Sequence, residues 1–157
     1  KIAVSLTEEV SLVKDFVDLR STMSESVPVV EWEVADDVDW ELLLPTMIIQ
    51  IPVENALKHA FLPGEMNGAF IRISISRIEK IIIEDNGVGY MPQQQSLGEN
   101  STGNGIPILY RTVQLLNRSD APRKLTFEIS DRSLISGGSE CGTRVMILIP
   151  NHFNYDL

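Results

Sequence analysis

The sequence predicts a two-layer α/β sandwich, a mixed and mostly antiparallel sheet packed on helices. Three observations lead there. Helical and β-rich segments are interspersed over 157 residues, a length that suits one domain with a sizeable core. Apolar residues make up 43% and charged residues 22% of the chain, proportions that exclude disordered and collagen-like classes. The later strands fall in consecutive pairs, and helices with mostly antiparallel strands pack as two layers.

The first element is a helix. Ser5 and Glu8 stand at capping-box spacing in SLTEEVSLVKDFVDLRSTM, and Val10, Val13, Phe16 and Val17 recur at helical intervals to about Arg20, so residues 1–22 read as a leading helix. VPVVEWEV (Val27–Val34) is β-rich and alternating, a strand, and the acidic ADDVDWE that follows is a turn. A second helix spans about Thr46–Leu62. Pro45 suits its first turn, Pro63-Gly64 ends it, and Pro52 should kink it.

Ala69–Ile78 and Lys80–Gly89 are adjacent strands, the second apolar enough to be central in the sheet. Tyr90–Thr102 lacks periodicity and is rich in Gln, Ser, Gly, Asn and Pro, so it reads as a mobile loop of the kind that serves as a lid. Helical spacing returns in GNGIPILYRTVQLLN, where Ile106, Leu109, Val113 and Leu116 share a stripe. RKLTFEISD and TRVMILIP are further strands, joined through the loop RSLISGGSECG. The expected order is αβαββ, lid, αββ, without an internal repeat.

A net charge of −9 argues against broad nucleic-acid or anionic-membrane binding, which needs a basic surface. A polyanionic ligand would have to be held locally. Cys141 has no partner in the chain for a disulfide, which suits a reducing compartment, and two His with one Cys are too few for a structural zinc site. No apolar run reaches the roughly 18–20 residues that cross a bilayer, and no signal-peptide pattern opens the chain. The chain begins Lys1-Ile2-Ala3 without an initiator Met, so a piece of a longer protein is expected.

Four short segments can carry chemistry. In VENALKHAF, helical projection puts Ile49, Val53, Ala56, Leu57 and Ala60 on one arc and Asn55, Lys58 and His59 on the opposite one. That polar arc is either a solvated face with a Glu54–Lys58 pair, or a face on which an Asn oxygen ligates a hard cation while Lys58 and His59 neutralise phosphate. In IEDNGVG, Asn86-Gly87 is a strong hairpin signal, yet Tyr-Met-Pro-Gln-Gln-Gln supplies no return strand. The alternative is a strand end where Asp85 accepts from the exocyclic amine of a purine and the glycines let the base approach the backbone.

In STGNGIP, Gly103 and Gly105 lie at a helix start, where free N–H groups attract phosphate or a hinge is simply needed. Gly98 to Gly103 has P-loop spacing, but Asn104-Gly105 replaces Lys-Ser/Thr, and no GxGxxG is completed. Gly142-Thr143 leads the last strand and in isolation reads as a turn.

In this order, VENALKHA, EDNGVG, the polar lid, TGNGIPILYRTVQLLN and GTRVMILIP resemble the ATP-binding domain of the GHKL superfamily, and within it the sensor histidine kinases of the LytS/YehU type. The leading helix and the acidic segment before LLLPTMIIQIPVENALKHA resemble that family too, so the likeness covers nearly the whole chain. It implies a Bergerat-type ATP-binding fold with ATP and Mg2+ as cofactors. Asn55 would ligate Mg2+, and Lys58 and His59 would complete the catalytic face by contacting the phosphates. Asp85 would bind the adenine amine, with Gly87 and Gly89 opening the base pocket and Thr143 as a second adenine partner. Residues 90–102 would form the lid, and Gly103 and Gly105 its hinge. The implied partners are upstream dimerisation helices of the same protein, carrying the phospho-acceptor His, and a response regulator. The implied setting is the cytoplasmic side of a membrane-anchored homodimer.

The chain departs from that family in three places. Pro52 is displaced by one position, and Ile106-Pro107-Ile108 replaces the usual Gly-Leu-x-Asn. No PHFLFN-like acceptor sequence is present, and neither His59 nor the tail residue His152 replaces it. Two other functions share the fold, a GHKL ATPase and an anti-sigma-factor serine kinase, and a degenerate regulatory domain is a third alternative. The ATPases carry a Glu one turn before the Asn. Ile51 stands there and cannot act as a base, while Glu54 lies on a different azimuth.

Overall fold

Ser5 opens the first helix as its sequence predicts, its Oγ accepting the Glu8 amide at 3.2 Å. A computed structural model describes residues 2–24, 26–61, 67–77, 80–89, 105–118 and 123–156. A short strand β1 (Ala3–Ser5) runs directly into α1 (Leu6–Met23), followed by β2 (Val29–Val34), β3 (Leu43–Pro45) and α2 (Gln50–His59). Then come β4 (Phe70–Ser76), β5 (Lys80–Asp85), α3 (Gly105–Leu116), β6 (Thr126–Asp131), a one-turn α4 (Arg132–Ile135) and β7 (Thr143–Leu148).

Five strands form one sheet in the order β2-β4-β5-β7-β6. β2 pairs parallel with β4, and the other neighbours are antiparallel. Alternation decides which face is buried: Ile71, Ile73 and Ile75 of β4, Ile81 and Ile83 of β5, and Val145 and Ile147 of β7 all point into the core. Against them pack Leu6, Val10 and Val13 of α1, Val53 and Ala56 of α2, and Ile106, Leu109, Val113 and Leu116 of α3. The opposite face carries Glu31, Glu33, Arg72 and Ser74, with Arg72 Nε 3.2 Å from Glu31 and 3.5 Å from Glu33. One apolar and one charged face make the two-layer sandwich. No helix among the described residues is long and apolar enough to cross a membrane.

Several boundaries differ from expectation for physical reasons. Two strands lie beyond those the sequence predicts: β1 and β3 pair antiparallel, Ala3 with Pro45 and Ser5 with Leu43. Pro45 therefore ends a strand instead of opening a helix. α2 begins at Gln50, so Pro52 falls in its first turn, where its missing N–H is no loss and no kink is required. β5 stops at Asp85 because Asn86 turns aside, its Oδ1 accepting Phe70 N and its Nδ2 donating to Gly68 O, both at 2.8 Å. The segment RSLISGGSECG contains α4, capped by Asp131, whose Oδ1 accepts the Ser133 amide at 2.9 Å. The lid Tyr90–Thr102, Gly98, Gly103 and Asn104 lie outside the described residues.

Candidate functional site

Period-two alternation along β5 carries the core face past Ile81 and Ile83 to Asp85, which is 4% exposed at the end of the strand. Two backbone amides meet its Oδ1: Gly87 N at 2.9 Å, from the turn it caps, and Thr143 N at 3.2 Å, from the start of β7. β7 is in register with β5 only up to Glu84 opposite Arg144, so the next amide, that of Thr143, reaches the side chain. Among the described residues no hydrogen bond reaches Oδ2. Burial pushes the Asp85 carboxyl up to about 6; the amides of Gly87 and Thr143 and the charge of Arg132 oppose that rise, and Asp131 adds to it.

Glycines let the backbone close around this carboxylate. Gly142, at φ +119°, lies so near Asp85 that a Cβ there would overlap the Asp85 carbonyl. Gly87 packs as closely on the Ala60 carbonyl at the end of α2, and Val88 N donates to that same carbonyl at 2.8 Å. Gly89, at φ +100°, lies against the Asp131 carboxylate. The turn after β5 is thereby docked on the helix that carries Asn55.

Arg132 binds the other side of the turn. It is 7% exposed, and its guanidinium donates to Glu84 Oε2 at 3.1 Å, Cys141 O at 2.8 Å, Glu140 Oε2 at 2.8 Å and Asp85 O at 3.4 Å. Its own amide donates to Gly142 O at 2.8 Å. A buried cation is tolerated only with such a set of acceptors. Here they pin the Cys141-Gly142-Thr143 turn to the end of β5.

On α2, Ile51, Glu54, Asn55 and Lys58 line a small cleft that Gly105 of α3 completes. Gly105 packs so tightly on Ile51 that a Cβ would lie 2.8 Å from its Cγ2. Lys58 Nζ stands 2.5 Å from Glu54 Oε1. The half-buried Asn55 carboxamide makes no hydrogen bond among the described residues. A hard cation prefers such an oxygen, and Lys58 adds positive charge beside it.

No protein-family model matches the chain. In sequence it is 28% identical over 153 residues to the uncharacterised protein YwpD of Bacillus subtilis, across 92% of this chain and 49% of YwpD. It is 27% identical over 165 aligned positions to sensor protein LytS of Staphylococcus epidermidis, across 96% of this chain and 26% of LytS. The chain thus spans about half of one relative and a quarter of the other. In structure it matches the mycobacterial sensor histidine kinase MprB with a TM-score of 0.60 at 18% identity, covering 97% of this chain and 98% of that one. The fold is that of a histidine kinase catalytic domain. Full-length ShkA, solved in complex with AMPPNP, matches with a TM-score of 0.60 at 14% identity over 96% of this chain and 31% of that one.

Within this histidine kinase fold, two groups of expected residues meet. Asp85, Gly87, Gly89 and Thr143 gather at the end of β5, and Asn55, Lys58 and Gly105 share the α2–α3 cleft. His59 is apart from both: it is exposed at the end of α2 and does not line the cleft. Gly103 lies outside the described residues. Glu54, placed on another azimuth by helical projection, lines the same cleft as Asn55. Arg132 carries a structural role that no local sequence pattern assigns to it, whereas Gly142 forms the turn its sequence predicts, with a close approach to Asp85 that the sequence does not reveal.

Proposed function

We propose that the chain is the catalytic ATP-binding domain of a sensor histidine kinase of the GHKL superfamily. One observation carries the reading: a buried Asp85 is held through Oδ1 by the Gly87 and Thr143 amides, while Oδ2 accepts nothing among the described residues. An acceptor held at such an apolar strand end suits the exocyclic amine of adenine. The fold shared with kinase domains, one of them solved with AMPPNP, supports the same conclusion.

Asn55 would hold Mg2+ through its carboxamide oxygen, and Lys58 would orient the phosphates. The bound metal would neutralise phosphate charge, which is most of what phosphoryl transfer asks of a protein. The γ-phosphoryl would go to a His on an upstream dimerisation helix and from there to a response regulator. We place the domain on the cytoplasmic side of a membrane-anchored, homodimeric parent.

Hydrolysis is the competing activity. Ile51, one turn before Asn55, is apolar and packed on Gly105, and the Glu54 carboxylate is engaged by Lys58. The chain alone should therefore turn over negligible ATP; chaperone-like turnover abolished by Glu54→Ala would replace the kinase reading with an ATPase. Calorimetry with ATP and Mg2+ tests the core of the proposal. Wild type should bind and Asn55→Ala should lose the gain in affinity from Mg2+; a wild type that binds no nucleotide would leave a degenerate regulatory domain.

A further inference from the structure

Glu9 is wholly buried, on α1, in a region the nucleotide reading does not use. Its Oε1 accepts Met47 N, and its Oε2 accepts Ile49 N and Gln50 N, all at 3.0 Å. These amides belong to the turn that leads into α2, to its N-cap Ile49 and to its first residue Gln50. Ile49, the N-cap residue, offers no side-chain cap of its own, so the capping anion comes from a helix 40 residues earlier in the chain. A carboxylate there satisfies donors the helix cannot satisfy itself and lies at the favourable end of the helix dipole.

The turn it holds is otherwise unfavourable, since Met47 adopts φ +68°, a left-handed conformation costly for a side chain with a Cβ. The same α1 start is strapped to the segment before α2 by the β1–β3 pairing, by Leu6 N to Leu42 O at 2.8 Å and by Thr46 N to Ile2 O at 2.9 Å. From Gln50 it is about 7.5 Å along the helix axis to Asn55.

We infer that Glu9 is a positioning residue for the cation site: it fixes the first turn of α2, and through it the placement of Asn55. The leading helix thereby governs how much Mg2+ contributes to nucleotide binding. The inference rests on the nucleotide function proposed above. Glu9→Gln is the discriminating variant, because a carboxamide is the same size but turns one acceptor into a donor facing amide N–H groups.

The test compares AMPPNP binding to wild type and Glu9→Gln by calorimetry, with MgCl2 or with chelator, and follows amide exchange over Met47–Asn55. Expected are affinities without Mg2+ that agree within about twofold, an affinity gain from Mg2+ reduced about 5- to 10-fold, and exchange at the start of α2 accelerated about tenfold. An unchanged Mg2+ gain overturns the inference, and so does an equal loss with and without Mg2+, which would make Glu9 merely structural. If Glu9→Gln does not fold, Glu9→Asp carries the same comparison with an intermediate loss expected, and an unchanged gain again overturns it. A wild type without nucleotide binding sinks the proposed function instead; exchange then still reads the cap, and unchanged exchange in the variant sinks the Glu9 assignment by itself.

Discussion

The Thr143 amide donates to Oδ1 of Asp85 at 3.2 Å, joining residues 58 positions apart into one acceptor site. Asp85→Asn keeps an oxygen available for the two amides but presents an N–H2 where Oδ2 now stands, donor against donor for an adenine amine. The variant should stay folded and lose at least about tenfold in ATP affinity, the cost of one mismatched buried hydrogen bond. Unchanged affinity by calorimetry would remove adenine from Asp85.

Protonation of Asp85 should be visible in both stability and binding. Its folded pKa, about 6, lies above the ordinary 3.8, so the fold holds the proton more tightly than the unfolded chain. Its contribution to stability is therefore fully present below about pH 4 and is lost as pH rises towards and through 6, roughly 3 kcal/mol in all. Asp85→Asn should flatten that part of the stability profile in urea melts. Nucleotide affinity should run the opposite way, rising through pH 6 as the acceptor ionises.

Arg132→Met strips the guanidinium from Glu84, Glu140 and two carbonyls. Breaking a buried pair of this kind costs about 3 kcal/mol, read as a lower urea midpoint. Arg132 also opposes the upward shift at Asp85, so in the variant the pH midpoint of nucleotide binding should move above 6. Arg132→Lys, which keeps charge but not the fork of donors, should restore more of the pH midpoint than of the stability.

Two glycines separate steric contact from backbone strain. Gly142→Ala places a methyl on the Asp85 carbonyl, whereas a methyl on Gly138, at φ +89°, would meet nothing within 4 Å. Gly138→Ala should cost about 1–2 kcal/mol, the strain of a left-handed alanine. Gly142→Ala should cost more and weaken ATP binding as well, measured by thermal melts and calorimetry.

The stripes that pack the core are legible in the sequence because periodicity survives folding: Ile106, Leu109, Val113 and Leu116 share one face by spacing and are all buried. Asp85 can be read as a site candidate because an acid at the end of an apolar strand requires an explanation. Arg132 cannot, since its burial is set by carbonyls of Cys141 and Asp85 that come together only in three dimensions. Glu9 does leave a trace. It sits three residues from Leu6 and four from Val13, a charge on an apolar stripe, and its partners at the start of α2 account for that position. Pro52 is a start signal more than a kink signal, because a proline is free of cost only in the first turn.

The parallel pairing of β2 with β4 has a consequence for assembly. Parallel neighbours need a crossover, and here the crossover is the segment holding α2, so Asn55 travels with it. The antiparallel β5–β7–β6 group closes separately and brings Asp85 to Thr143 without β2. The parallel partners lie 41 positions apart, Val29 with Phe70, and the β5–β7 partners farther, Glu84 with Arg144, so loop-closure entropy separates the two pairings by only about 0.4 kcal/mol, in favour of the parallel one. The Asn55 cleft and the Asp85 turn thus depend on strand pairs of comparable closure cost, and a destabilised chain should lose the two together instead of one before the other.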